Sequence, residues 1–337
     1  MNIVYSTSES YAEPTAISMY SLLVNNSCCE VLNLFIIESG LSDKSRQIIT
    51  DIADTFSRCV VFINADKVFS EVVLDYKLEL LRGGYSTYAR VFINHFLPNI
   101  DRVILIDSDS LVLQSLHEFW EHDMGGAVIG AVPEVVVYGK RSFHEDPALV
   151  ENCDCYYNMG MVLFDLQAWR DQNIDKILSD ALTQKKPQKY RIADQSIINK
   201  YLSDRISRVS LKFNFYTFMH TLPSKSVLDR LFVKQIFDYV EMQTACASPV
   251  IVHFVGNWIE RPWYRRGKSV YKRIYLSYRG MTPYKSQNLW EKPKESAFIN
   301  FLNEGIFIFY RLLPLNWYLI FRYDYLQRLK KLFKLSR

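Results

Sequence analysis

The chain reads as an α/β protein built on a mostly parallel sheet with helices on both faces. Three observations predict it: short β-branched or aromatic runs alternate with amphipathic stretches, the runs are too apolar to leave one face in water, and several end abruptly in polar residues. The first run, Ile3 to Ser6, precedes a helix near Glu13 to Val24. Val31 to Ile37 leads to a helix after Ser42, and Cys59 to Ile63 leads towards a helix near Tyr85 to Phe96. Arg102 to Ile106, Ala127 to Pro133 and Met159 to Asp165 follow as strands, and a helical run through Ile197, Ile198 and Leu202 starts at Asp194. In such folds ligands sit beyond the carboxyl ends of the strands, so a polar residue just after an apolar run is a candidate site.

With 337 residues, 49% hydrophobic and 23% charged, the chain can bury a large core and is not a disordered protein. Its net charge of +4 conceals a division, because Tyr264 to Arg337 holds sixteen Lys or Arg against four Asp or Glu. That sets an acidic body beside a basic tail, and a basic tail seeks phosphates of lipid or nucleic acid. Composition changes after Trp263, which places a boundary near residue 265 between a body (1–265) and a basic, aromatic, helical extension (266–337). Met1 to Tyr5 lead straight into a strand pattern with no basic start, apolar run or cleavage site, so a cytoplasmic protein is expected. Cys28-Cys29, Cys59, Cys153-x-Cys155 and Cys246 match no zinc or redox spacing and are expected as reduced thiols.

The apolar run Val103 to Ile106 ends in Asp107-Ser108-Asp109, placing two carboxylates at the mouth of a buried strand. Such a pair repels itself unless a cation joins it, and hard oxygen ligands suit magnesium or manganese bridging a diphosphate. A solvated loop pair would have the same sequence. His253-Phe254-Val255-Gly256 follows another apolar run, Pro249 to Val252. Its imidazole can complete a metal site, its glycine allows close backbone approach, and Arg261 can meet phosphate, although a histidine after a strand is also a common structural residue. His95, His117, His122, His144 and His220 lie in no ligand spacing. Asn158-Met159-Gly160 opens a strand, Asp194-Gln195 opens a helix with Asp194 open to a cap or a binding role, and Arg90 is open to a surface salt bridge or a phosphate contact.

Taken together, residues 1 to 263 resemble the retaining glycosyltransferases of family 8, which include bacterial lipooligosaccharide galactosyltransferases and glycogenin. The ordered elements are Thr87-Tyr88-Ala89-Arg90, Val103 to Asp109, Tyr157-Asn158-Met159-Gly160 with Leu166 to Arg170, Asp194-Gln195, Phe213-Asn214-Phe215, and His253-x-x-Gly256 with Pro262-Trp263. Six elements in order are far more specific than any one alone. The resemblance implies a GT-A type nucleotide-diphospho-sugar fold with Asp107, Asp109 and His253 on Mn2+ or Mg2+, Gly256 and Arg261 at the diphosphate, and Arg90 at donor phosphate or sugar. It implies Asn158, Asp194 and Gln195 as the catalytic, sugar-facing residues, and places Ser6, Ser8, Tyr11 and Ser108 along the rest of the donor.

Two departures stand out. Two extra residues and an arginine interrupt the family's continuation to Lys-Pro-Trp, and Ser6 to Tyr11 stands where relatives carry acidic and amide residues towards uracil and ribose. The implied activity is transfer of a hexose, galactose or glucose, from a UDP-sugar to a glycan or lipid-linked glycan of lipopolysaccharide, capsule or similar polysaccharide. Retention without a good nucleophile points to attack from the leaving group's own face, since the amide of Gln195 is a poor nucleophile. A haloacid-dehalogenase-type phosphatase also carries Asp-x-Asp after a strand, but it expects Thr or Val where Leu111 stands and a later pair of aspartates. A non-catalytic sugar-nucleotide-binding protein is the third reading.

In the extension, Gly305 to Phe321 is shorter than the roughly 20 residues of a spanning helix and is broken by Arg311 and Pro314. Trp317, Tyr318, Phe321, Tyr323 and Tyr325 beside Arg322, Arg328, Lys330, Lys331 and Lys334 suit an anionic membrane surface, so attachment to the inner face of the cell membrane is expected. A tail helix docked on the body is the alternative, and no nucleic-acid readout motif accompanies the charge.

Overall fold

Residues on alternate positions of the central strands are apolar on both sides, and the chain covers both sides. The computed structural model describes residues 1–72, 86–135, 155–182, 193–221, 236–256 and 258–293. The expectations for His144, Cys153 and the tail from 294 onward fall outside them. The opening units are β1 (Asn2–Ser8), α1 (Ala12–Asn25), β2 (Asn33–Ser39), α2 (Asp43–Asp54), β3 (Val60–Asn64) and α3 (Ala65–Val72). Ser42 caps α2 by accepting the Ser45 N–H at 3.2 Å, which satisfies one of the donors every helix start leaves open.

The helix expected from Tyr85 to Phe96 is, where described, a 3₁₀ turn, Ser86–Arg90, followed by the single turn α4 (Ile93–Phe96). Tyr88, Ala89, Val91, Phe92, Ile93, Phe96 and Leu97 are all buried and only His95 between them is exposed, so tertiary packing sets the path of the segment. It is followed by β4 (Arg102–Asp107), β5 (Ser110–Val112), α5 (His117–Trp120), β6 (Ile129–Pro133) and β7 (Tyr157–Asp165). Then come α6 (Leu166–Asp171), α7 (Ile174–Leu182), α8 (Ala193–Tyr201), β8 (Ile206–Arg208), β9 (Phe215–Tyr216), α9 (Tyr239–Ala247), β10 (Ile251–His253) and α10 (Lys272–Gly280).

Among the described residues, seven strands form one sheet in the order β3-β2-β1-β4-β7-β6-β8. All pairs are parallel except those of β7, which runs antiparallel to β4 and β6. Ile3, Tyr5, Ile104, Ile106, Met161 and Leu163 join a core with α1 and α2, while Val4, Val103, Leu105, Val162 and Phe164 join the core on the opposite face with α4, α6 and α8. Period-two alternation with apolar residues on both sides thus explains the two helical layers. A smaller sheet, β5-β10-β9, leaves the carboxyl end of β4.

Residues 266–293 lie on this body. Tyr271, Tyr275 and Tyr284 belong to the core that α1 lines, and Arg279 reaches Glu13 of α1 through a buried ion pair of 2.7 Å. No helix among the described residues is long and apolar enough to cross a membrane.

Candidate functional site

The turn Asp107-Ser108-Asp109 lies where the large sheet hands the chain to the small one. β4 pairs with β1 as far as Ser6 opposite Asp107, so the first carboxylate stands at the carboxyl edge of the central strands. β5 starts one residue after Asp109 and pairs antiparallel with β10, setting His253 opposite Ser110. Phe254 N–H donates to Asp109 O at 2.8 Å and clamps this corner. As a result His253 Nε2 lies 3.1 Å from Asp109 Oδ1 and 3.8 Å from Asp107 Oδ2.

One ligand atom from each of Asp107, Asp109 and His253 falls within 4.8 Å of the others, and no other such cluster occurs among the described residues. Two carboxylates and an imidazole form a donor set that fits manganese or magnesium, leaving positions for phosphate oxygens and water. Gly160 of β7 makes this closeness possible. A Cβ there would lie 2.7 Å from His253 Cε1 and 2.9 Å from Asp107 Oδ2.

Charge at the site is concentrated. Arg90, delivered by the 3₁₀ turn, is ion-paired to both Asp107 and Asp194. Burial raises the Asp107 pKa, Arg90 pulls it back, and the neighbouring Asp109 pushes it up again, so the net direction is upward. Burial works against a charged His253, but Asp109 and then Asp107 outweigh it and raise its pKa. Arg261 lies 3.5 Å from Asp109, donates to the Tyr11 hydroxyl, and rests over the rings of Tyr11 and Trp263. Arg261 is preceded by a buried 3₁₀ turn, Trp258–Glu260. Gly256 turns the chain out of β10 with φ +134°, in the region that favours glycine.

On the other side of Arg90, Asp194 sits inside the first turn of α8, 2% exposed, and spends its carboxylate on Arg90. Gln195 Oε1 accepts the Met159 N–H at 3.0 Å, while its Nε2 is buried without a partner. Asn199, one turn later, fastens α8 to β7 by accepting the Tyr157 N–H and donating to the Tyr157 carbonyl, at 2.6 and 2.8 Å. Asn158 donates to Glu134 at 2.8 Å and accepts from Gly160 N–H and Asn214 at 2.8 and 2.7 Å.

The first-strand loop is arranged differently. Ser108 is buried and links Thr15 to the Ser6 carbonyl, joining α1 to β1. The Ser8 hydroxyl lies 3.1 Å from that of Ser10, and Tyr11 packs edge-on between Trp263 and Trp290. Glu9, the acidic residue of this loop, accepts the Ser42 N–H and the Ser42 and Ser45 hydroxyls at the start of α2. Partial burial raises its pKa slightly, and those donors outweigh burial and lower it.

Glu134 escaped the sequence reading, although it follows the apolar run Ala127 to Pro133 and so carried the same strand-end signal as Asp107. Asn199 and the pairing of Asn214 with His253 left no such signal, since both depend on contacts distant in sequence.

The profile of Glycosyl transferase family 8 matches residues 2–267. A protein of Haemophilus influenzae is 26% identical over 219 residues, covering 64% of this chain and 63% of its own length. Glycosyltransferase GlyF of Streptococcus pneumoniae is 24% identical over 281 residues, 83% of this chain and 61% of its own length. The chain therefore spans just over three-fifths of these two relatives. Among solved structures, galactosyltransferase LgtC in complex with donor and acceptor sugar analogs superposes with a TM-score of 0.64 at 19% identity, covering 84% of this chain and 96% of LgtC. At that identity the likeness establishes a shared fold, the GT-A arrangement.

Proposed function

This chain belongs to glycosyl transferase family 8, and from that premise we propose that it moves a hexose, galactose or glucose, from a UDP-sugar to a cell-envelope glycan with retention of configuration. The acceptor is a glycan or lipid-linked glycan of lipopolysaccharide, capsule or a related polysaccharide. The observation that carries the reading is the convergence of Asp107, Asp109 and His253 within 4.8 Å at the carboxyl end of β4.

These three residues would hold Mn2+, or Mg2+. Bound there, the cation supplies Lewis acidity against the charge that develops on the departing diphosphate. Arg261 and the Gly256 backbone bind the same diphosphate, with Arg261 held ready by its contacts to Tyr11 and Asp109. Arg90 spans the phosphate and sugar ends, because it touches Asp107 on one side and Asp194 on the other. Asp194 accepts hydrogen bonds from sugar hydroxyls and Gln195 lies beside the anomeric carbon. Ser6, Ser8 and Tyr11 follow the nucleoside, while Glu9 is already engaged by α2.

Retention by attack from the leaving group's face is supported by the orientation of Gln195. The nucleophilic atom of an amide is its oxygen, and this oxygen is turned to the Met159 N–H. What the side chain leaves unpaired is the Nε2 donor, which can hydrogen-bond substrate but cannot attack carbon.

The extension beyond residue 293 is proposed to hold the enzyme on the inner face of an anionic membrane through its aromatic and cationic residues. The full chain should sediment with anionic vesicles at low salt, and its remaining in the supernatant would remove this part of the reading. For the chemistry, a panel of nucleotide sugars is incubated with the full chain, and release of nucleoside diphosphate is measured with Mn2+, Mg2+ or EDTA. Cation-dependent release from one UDP-hexose is expected. Release of inorganic phosphate would favour the phosphatase reading, and binding without release would favour the non-catalytic one.

A further inference from the structure

A neutral imidazole has one bare nitrogen, and only that nitrogen can bind a metal. For His253 the choice between its two nitrogens follows from a chain of hydrogen bonds that starts at a backbone amide. Gly160 N–H can only donate, and it points to Asn158 Oδ1 at 2.8 Å. At the other end of the same amide, Asn158 Nδ2 faces a carboxylate oxygen of Glu134 at 2.8 Å. The two contacts agree, so the Asn158 amide has no freedom to turn over.

Asn158 Oδ1 being an acceptor, the Asn214 atom 2.7 Å from it must be Nδ2. That turns Asn214 Oδ1 towards His253 Nδ1, 2.9 Å away. Two acceptors cannot share a hydrogen bond, so Nδ1 carries the proton. Nε2 faces Asp109 at 3.1 Å and Asp107 at 3.8 Å, so without a cation it too donates to a carboxylate, and a cation between the two aspartates would take the place of that proton while Nδ1 keeps its own. Glu134, Asn158, Asn214 and His253 are all buried, which leaves little room for water to replace any member.

We propose that Asn158 and Asn214, oriented by the Gly160 N–H and Glu134, are positioning residues that hold the proton of His253 on Nδ1, so that Nε2 is the nitrogen that gives up its proton to bind the metal. The proposal rests on the reading of Asp107, Asp109 and His253 as metal ligands. It also changes the part expected of Asn158. Both lone pairs of its oxygen are taken by Gly160 and Asn214, and its nitrogen faces Glu134 and, at 3.4 Å, Gln195. Asn158 therefore acts on the metal side of the site through Asn214, behind Asp194 and Gln195. Outer partners of this kind set the basicity and orientation of a ligating imidazole and typically govern metal affinity by about 10–100-fold.

The test compares Mn2+ binding by the full chain, measured calorimetrically without substrate, for wild type, Asn214→Leu and Tyr216→Phe. Leucine keeps the branching and number of heavy atoms of the Asn214 side chain and removes both of its hydrogen bonds. Tyr216→Phe removes a neighbouring 2.7 Å bond to Glu134 and leaves the relay whole. Asn214→Leu should bind Mn2+ about 10–100-fold more weakly, and Tyr216→Phe within about threefold of wild type. Equal affinity in Asn214→Leu and wild type overturns the relay, and so does an equal loss in both variants.

A second measurement needs no variant and stands even if Asn214→Leu fails to fold. Ring-nitrogen NMR of the wild-type full chain with Mg2+ should show the His253 proton on Nδ1, and a bare Nδ1 overturns the proposal. If wild type binds no Mn2+, the metal assignment itself falls, and the position of that proton still decides whether the relay exists.

Discussion

Two buried ionic clusters in this molecule are built to opposite ends. Where α10 meets α1, one acid faces one base: Arg279 Nε donates to Glu13 Oε1 at 2.7 Å, Trp290 Nε1 donates to Glu13 Oε2 at 2.9 Å, and Arg279 also reaches the Gln287 carbonyl. Both carboxylate oxygens are occupied, and the cluster fastens residues 266–293 to the body. At the carboxyl end of β4, three aspartates share two arginines and a histidine, Asp107 is pushed towards protonation, and the Nε atoms of Arg90 and Arg261 and Nε2 of Gln195 are buried without partners. A completed ion pair holds structure together. The second cluster has buried donors without partners among the described residues, which is what a site that receives a ligand would offer.

That contrast can be broken first at the site. Asp107→Asn and Asp109→Asn should each abolish turnover while thermal unfolding barely moves, because a cation's contribution of several kcal/mol to the transition state is lost and no packing is disturbed. Turnover by either variant within about tenfold of wild type at saturating Mn2+ would sink the ligand assignment. The mirror experiment is Arg279→Met. Leaving the Glu13 carboxylate buried without a counter-charge, with only Trp290 donating to it, should cost about 3–5 kcal/mol of stability in denaturant unfolding, with donor hydrolysis retained per folded molecule. If stability holds and activity falls instead, the two clusters have been assigned the wrong way round.

Smaller effects sharpen the picture within the site. Asp194→Ala should reduce kcat/KM for the intact donor by about 10–100-fold, on the scale of about 1.5–3 kcal/mol for hydrogen bonds to a charged group, with UDP binding largely kept. Equal losses for UDP and donor would make Asp194 a support for Arg90 alone. Gly160→Ala should weaken Mn2+ binding about tenfold, because the added methyl displaces the His253 ring or the Asp107 carboxylate from a site whose geometry depends on such outer contacts. Unchanged affinity would mean the site relaxes without cost.

Legibility in the sequence followed the range of the interactions involved. Six of the seven strands of the large sheet were visible because they carry apolar runs, the three-residue β8 was not, and Asp107 to Asp109 was visible because one such run ends in it. Of the small sheet only β10 was visible, as the apolar run Pro249 to Val252 before His253, because β5 and β9 span three and two residues and no periodicity survives at that length. The segment around Arg90 is a 3₁₀ turn and a single helical turn rather than one helix, since Tyr, Val, Phe, Ile and Asn are weak helix formers and burial of seven apolar residues sets its path. Glu9 shows the limit from the other direction. It stands where a ribose contact was sought, and only the fold reveals that the start of α2 already occupies it.

The most direct measurement of the central claim is a cation add-back. The full chain is stripped with EDTA, then titrated with Mn2+ while UDP release from the preferred UDP-hexose is followed, with Asp109→Asn carried alongside. Activity should be absent after stripping, return saturably in wild type and not return in the variant. Turnover that persists in EDTA, or an Asp109→Asn chain restored to the wild-type level, would contradict a metal held by Asp107, Asp109 and His253.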